Sequence, residues 1–251
     1  MSNPGGGTLV SMAKQADMLP VVVDMPLVAP TRHGLFDVVD WVEEAIPRWL
    51  ASGVQPRIFN IGGLDSSGVW SADWCSPEPA SGDELVEKLA QRPDLPDPFL
   101  PVTVYATDEA LCGRSTDPRE VADVHKRAAQ YYALNEQGWF EAAFAARMLA
   151  DADAAGGPAV VDGFVDAVGY LEQALGDARM PGVLHCRCGW AAHAAAAHNV
   201  AIRDASGDYF SPLGHRWVFG SGYDGVLANT LIATTAKLVG FRNPITTHQT
   251  D

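Results

Sequence analysis

Five side chains able to ligate a metal or act as a thiol nucleophile, His185, Cys186, Cys188, His193 and His198, fall within fourteen residues. These are the donor types of a zinc site. Structural zinc ligands usually arrive as Cys-x(2–4)-Cys knuckles with a second pair further on, whereas Cys186-x-Cys188 on a strand sets both thiols on one face and His185 on the other. His193 and His198, five apart, diverge by about 140° on a helix and do not form the i, i+4 pair of a zincin. Buried thiols beside a core strand account for the run more simply, because free cysteine is among the most buried residue types. A zinc-dependent enzyme built on the 185–198 cluster stands as an alternative.

A second pattern, Gly220-Ser221-Gly222-Tyr223-Asp224-Gly225, matches G-x-G-x-x-G after a strand-like run. A dinucleotide fingerprint must open a helix and be followed by a second strand and an acidic residue about 20 positions on. Here the sole carboxylate after Asp224 is the terminal Asp251, and the β-branched content after Gly225 disfavours a helix. A glycine-rich turn between strands is the expectation. No Gly-x-Ser-x-Gly elbow, Walker-type loop or His-Glu-x-x-His occurs. Carboxylate neighbours such as Glu43-Glu44 and Asp108-Glu109 suit a solvated surface. The expectation is a non-enzyme with no catalytic residue, bound metal or cofactor.

The elements that would position these residues form a mixed α+β pattern, not a regular βαβ alternation. Residues 1–33 are Gly-rich and then punctuated by Pro20, Pro26 and Pro30, which predicts an extended arm, or a disordered tail for the first dozen residues. Such an arm cannot bury Leu19, Val22, Met25 and Leu27 by itself. From Gly34 to Gly53, Leu35, Val38, Val39, Val42, Ile46 and Trp49 recur at helical spacing and predict an amphipathic helix. Residues 54–101 lose periodicity among glycines and prolines, with Trp70 and Trp74 between them. So long a loop suggests a hairpin projecting onto another subunit, or a small irregular β-subdomain on its own chain.

Asp117-Pro118-Arg119-Glu120 supplies an N-cap acceptor, a proline at the first helical position and a carboxylate at N3. A helix from here to Ala155 would span about 57 Å unless Gly138 interrupts it. Its buried side would carry Val121, Val124, Phe140, Phe144 and Met148. A second helix is expected from Pro158 to Gly176, then a strand over Gly182 to Arg187 and an alanine-rich helix over Trp190 to His198. A hairpin (200–203 with 209–210), a strand over 215–219 and one long or two short strands over 230–241 complete the chain.

The 251 residues suffice for a real core, and 24 glycines with 17 prolines fall short of low complexity. Thirty-one acidic against 17 basic residues give a net charge of −14, which opposes the counterion-releasing contacts of specific nucleic-acid binding. Four irregularly spaced cysteines fit a reducing compartment. Neither a signal peptide nor a membrane span is expected.

Three segments carry a family resemblance. Leu171-Glu172-Gln173-Ala174-Leu175 closes an amphipathic helix before Gly182-Val183-Leu184-His185 and the alanine-rich helix. Ser211-Pro212-Leu213-Gly214, Arg216-Trp217-Val218-Phe219 and Gly220-Ser221-Gly222-Tyr223 follow. In this order they resemble the T-P-L-G-x-x-V-V-x-G-x-G-Y segment of major capsid proteins of tailed bacteriophages, which have the HK-ninety-seven-type fold. The likeness covers about residues 100–242 by order of elements, and its specificity lies mostly in 182–223.

The resemblance implies an N-terminal arm over 1–33 and an extended loop over 55–99. It implies a peripheral domain with a long spine helix, drawn from 34–54, 100–156 and 231–251, and an axial domain over 157–230. The function implied is a viral structural protein of the virion, assembled in the host cytoplasm through pentamers and hexamers into an icosahedral shell around double-stranded DNA. Leu19, Val22, Met25, Leu27, Trp70 and Trp74 are then the candidate inter-subunit contacts. An acidic inner surface would not trap packaged DNA. The short arm leaves little room for a built-in scaffold, so a separate scaffold or decoration protein is a conceivable partner. No local motif fixes cross-link partners among Lys14, Lys88, Lys126 and Lys237, so assembly is expected to be noncovalent. An encapsulin-type nanocompartment shell is the nearest alternative.

Overall fold

The computed structural model describes residues 26, 28–29, 32–43, 49–56, 96–110, 117–197, 200–235 and 237–248. The candidate contacts Leu19, Val22, Met25, Leu27, Trp70 and Trp74 lie outside them, as does His198.

The fold is mixed α+β, organised on two adjacent parallel strands, β2 (Gly182–Arg187) and β5 (Arg216–Gly220). Both are apolar runs buried on two faces, as the central strands of a covered sheet must be. Around them, β3 (Ile202–Arg203), β4 (Tyr209–Phe210) and β6 (Ile232–Thr235) complete a five-stranded sheet in the order β3-β4-β5-β2-β6. Because side chains alternate along a strand, the sheet separates two cores. Leu184, Cys186, Trp217 and Phe219 face one, with Val168 and Leu175 of α3 (Phe164–Asp177) and Ala194 of α4 (Ala191–Ala196). Val183 and Val218 face the other, with Ala145 and Met148 of α2 (Pro118–Ala154), Leu35, Tyr223 and Leu227. The sheet is thus the middle of three layers, α2 on one side and α3 with α4 on the other.

The cap expected at Asp117 is present. Its Oδ1 accepts from the Arg119 N–H at 2.9 Å, Pro118 opens the helix, and the 37 residues of α2 run through Gly138 without interruption. At 1.5 Å per residue that is about 55 Å. Only the second half packs on the sheet: its buried residues are Gln137, Glu141, Ala145 and Met148, while the expected Val121 and Val124 are half-buried. An extended strip, 96–110, lies along the same helix and runs the opposite way. Arg147 donates to the carbonyls of Asp97 (3.0 Å) and Pro98 (3.1 Å), and Arg127 pairs with Asp108 at 2.6 Å. Those anchors are about 30 Å apart on the helix and within about 36 Å along an extended chain, so the strip is nearly straight.

Several expectations need correction. The helical spacing from Leu35 to Val42 does not make a helix: Leu35–Asp37 is a single 3-10 turn and β1 (Val39–Glu43) is a strand, while α1 (Trp49–Ser52) is one turn and residues 44–48, with Ile46, lie outside the described residues. β1 pairs in parallel with β7 (Leu238–Arg242) as a separate two-stranded sheet. Valines 38, 39 and 42 suit either period, and a partner some 200 residues away settled the choice. At Gly240 a Cβ would come within 2.8 Å of Val39 and the Trp41 ring, so the pairing uses that glycine to seat the indole. The second helix starts at Phe164, not Pro158, and leaves Val160 and Val161 exposed outside it. The end of the chain forms two short strands in different sheets.

Candidate functional site

The described members of the His/Cys run are not gathered together. β2 ends at Arg187, so Cys188 lies on a 3-10 turn and is exposed, whereas Cys186 is buried in the α3-side core. The two thiols therefore do not share a strand face, contrary to expectation. Burial pushes the Cys186 thiol well above the ordinary range, with Cys188 nearby adding to it, so it packs as a small apolar group. His193 sits against the Trp190 ring at 5.2 Å. Among the described residues, no three His, Cys, Asp or Glu side chains converge as metal ligands.

His185 points into the opposite core and is wholly buried. Its Nδ1 is 3.0 Å from the Tyr223 hydroxyl and its Nε2 is 2.9 Å from Thr234 Oγ1. A neutral ring has one N–H donor and one acceptor, which two hydroxyls satisfy, one accepting and one donating. Burial pushes the ring's pKa from 6.5 down to about 3, so it is uncharged at neutral pH. Burial also raises Tyr223 far above the ordinary phenol range, and nearby Glu141, with Cys186 wherever that thiol ionises, pushes it the same way.

Glu141, one helical turn after Gln137, is the residue that sequence reasoning missed. It has no exposed surface, and its two oxygens serve two separate chain segments. Oε1 accepts from the Leu35 N–H at 2.9 Å and Oε2 from the Gly222 N–H at 2.8 Å. Burial raises its pKa, against the hydrogen bonds from Gly222, Leu35, Gln137 and Ser221 that favour the ionised form. Two glycines of the pattern, Gly220 and Gly222, make room for this contact, and Gly225 does not. A Cβ on Gly222 would lie 1.9 Å from the Gly138 carbonyl oxygen, and one on Gly220 would lie 2.7 Å from the Tyr223 ring. The loop therefore lies backbone against helix, and it leads into a one-turn helix, α5 (Asp224–Leu227), where only a turn was expected. Gln137 and Glu141 form a polar i, i+4 pair beside Phe140 and Phe144. That was the available signal.

The 32–37 strap is held from three sides. His33 adopts a left-handed backbone, φ +71°, unusual for a side chain of this size. Its N–H donates to Asp37, its carbonyl accepts from Phe219 at 2.9 Å, and its ring meets Tyr209 edge-on at 5.2 Å. Here the strap meets the β3–β4 turn and β5 around an open basin of about 370 Å³ lined by Arg32, His33, Asp37, Arg203, Ser206, Gly207, Asp208 and Arg216. Arg216 pairs with Asp208 at 3.0 Å. Arg203 donates to the Gly207 carbonyl and lies over Tyr209, and neither it nor Arg32 has a carboxylate partner among the described residues.

Chemically, then, the buried polar groups act as ties. Both Glu141 oxygens and both His185 nitrogens are engaged, joining strap, long helix, glycine loop and sheet. No family model, curated protein or solved structure matches this chain. Among the described residues, no helix is long and apolar enough to cross a membrane.

The third arrangement is a surface. Val102 and Tyr105 on the strip are 46% and 76% exposed, and Tyr131 and Leu134 on α2 are 55% and 41% exposed. The Arg147 and Arg127 anchors set Tyr105 alongside the stretch of helix that carries Tyr131 and Leu134. The described part of the arm reaches the same region, where the Val28 carbonyl accepts from Gln130 at 3.0 Å while its side chain stays exposed.

Proposed function

We propose that this chain is a shell-forming structural subunit, the major capsid protein of a tailed bacteriophage. It assembles noncovalently through pentamers and hexamers into an icosahedral container for double-stranded DNA. The observation that carries this reading is the exposure of Val102 and Tyr105 on the strip and of Tyr131 and Leu134 on the helix it follows. Single exposed apolar residues are ordinary, but four large ones on one strip and the helix it follows favour a surface made for association. The ties at Glu141 and His185 add a rigid body able to transmit such contacts, and the 211–223 segment contributes its resemblance to capsid proteins. The acidic balance suits a wall that must not retain its contents.

Electron microscopy and sedimentation velocity of the purified full-length protein test this directly. Closed shells or ring-shaped capsomers are expected. A chain that remains a single copy at every concentration would overturn the proposal. Shells isolated from the natural source that hold a protein cargo instead of DNA would make it a nanocompartment subunit.

A further inference from the structure

The basin carries three arginines against Asp37 and Asp208, whereas the turn between α2 and α3 carries acids and no lysine or arginine. Among the described residues, Arg32 and Arg203 of the basin form no ion pair with a carboxylate, on a chain where acids outnumber bases 31 to 17. The His33 carbonyl accepts from the Phe219 N–H and its ring meets Tyr209, which holds the strap at the basin's rim. Residues 151–166 carry Asp151, Asp153, Asp162 and Asp166 and no lysine or arginine. Asp151 pairs with Arg147, whereas Asp153 and Asp162 are exposed and have no cationic partner among the described residues. The last turn of α2 also has no basic residue, although a helix C-terminus favours cations. Beside these carboxylates Val160 is 98% exposed, with Val161 and Val165 also exposed. No residue of the turn lines the basin of its own chain.

We propose that the Asp153–Asp162 turn of one copy docks into the Arg32–Arg203 basin of the next. The proposal rests on the shell-subunit reading and names one of its contacts. Within the shell reading the contact is used head-to-tail, each copy giving its turn to one neighbour and its basin to the other around a ring. Docking gives the turn's carboxylates guanidinium partners and the basin's arginines carboxylate partners, in the bidentate geometry that arginine favours. It also covers Val160, and the charges set the order in which copies meet.

The test uses the full-length chain and follows association by sedimentation velocity over a concentration series. Arg203→Glu and Asp153→Arg are examined singly and together, with Arg119→Glu on the first turn of α2 as a charge control. Each single reversal is expected to raise the concentration for half-association about tenfold or more, as loss of a close cross-interface charge pair does. The combined variant is expected to recover most of that loss, and the control to behave as the wild type. The milder Arg203→Gln and Asp153→Asn, checked by circular dichroism, serve if a reversal disturbs folding, and each should weaken association. An associating wild type with indifferent variants, or a combined variant that fails to recover, overturns the contact and leaves the shell reading standing. A wild type that never associates overturns both.

Discussion

Replacing His185 with glutamine should convert a pH-dependent stability into one nearly independent of that ring. In the folded chain the ring is neutral, because burial holds its pKa at about 3 instead of 6.5. Below pH 6.5 the unfolded chain takes up a proton that the folded chain refuses, so stability falls as pH falls, through the window from 6.5 down to about 3. The stabilisation is fully present above 6.5. Each pH unit in that window costs about 1.4 kcal/mol, or about 2 kcal/mol at pH 5, a large part of the roughly 5–15 kcal/mol that holds a typical domain. His185→Gln keeps one hydrogen bond, to Tyr223 or Thr234, and leaves the other hydroxyl unserved, at a cost of about 1–3 kcal/mol at pH 7.5. Glu141 titrates with the opposite sign, since its raised pKa makes acid favour the folded chain, but it is present in both proteins and largely cancels in their difference. Guanidinium unfolding followed by circular dichroism at pH 7.5, 6.5, 5.5 and 5.0 measures the gap. It should shrink by about 2 kcal/mol between pH 7.5 and 5.0. A gap that stays constant, or widens in acid, would refute a buried neutral ring.

The two glycines where loop and helix meet should behave oppositely. Gly138→Ala meets only the Ser221 hydroxyl at 3.5 Å and should stabilise the chain by up to about 1 kcal/mol in thermal unfolding, while Gly222→Ala drives a Cβ into the Gly138 carbonyl and should cost several times that or prevent folding. Glu141→Gln places an amide N–H against a backbone N–H of Leu35 or Gly222, and should lower stability at pH 7.5 by about 1–3 kcal/mol in urea unfolding. Asp117→Ala removes the cap on Arg119 and should cost about 1 kcal/mol, with increased amide exchange confined to the first turns of α2. Tyr105→Ser combined with Tyr131→Ser removes the edge contact of Tyr131 with Trp139 and should cost unfolding of the single chain no more than about 1.5 kcal/mol while weakening association in sedimentation.

Features written into a few neighbouring residues could be read before any coordinates. The Asp117-Pro118 start of α2, the buried run of β2, the β3–β4 hairpin and the β5 strand each follow from a cap, an apolar run or a turn signal. The overall α+β character followed from these. Length was harder: α3 begins six residues later than its apolar pattern suggests, because Val160 and Val161 match a helical stripe but face solvent.

Where a residue answered to something distant in the chain, local pattern misled. The spacing of Leu35, Val38, Val39 and Val42 satisfies a helix, yet hydrogen bonds to Leu238–Arg242 make it a strand. Cys186 and Cys188 look like a pair until β2 stops one residue short of the second. Glu141 looks like an ordinary surface carboxylate on a charged helix, and only the arrival of the strap and the glycine loop turns it into a buried tie. Backbone dihedrals, caps and apolar periodicity act over one or two turns of chain, so composition encodes them. Strand pairing and burial of a charge depend on which surfaces meet across a hundred residues or more, a property of the folded chain that no single window contains.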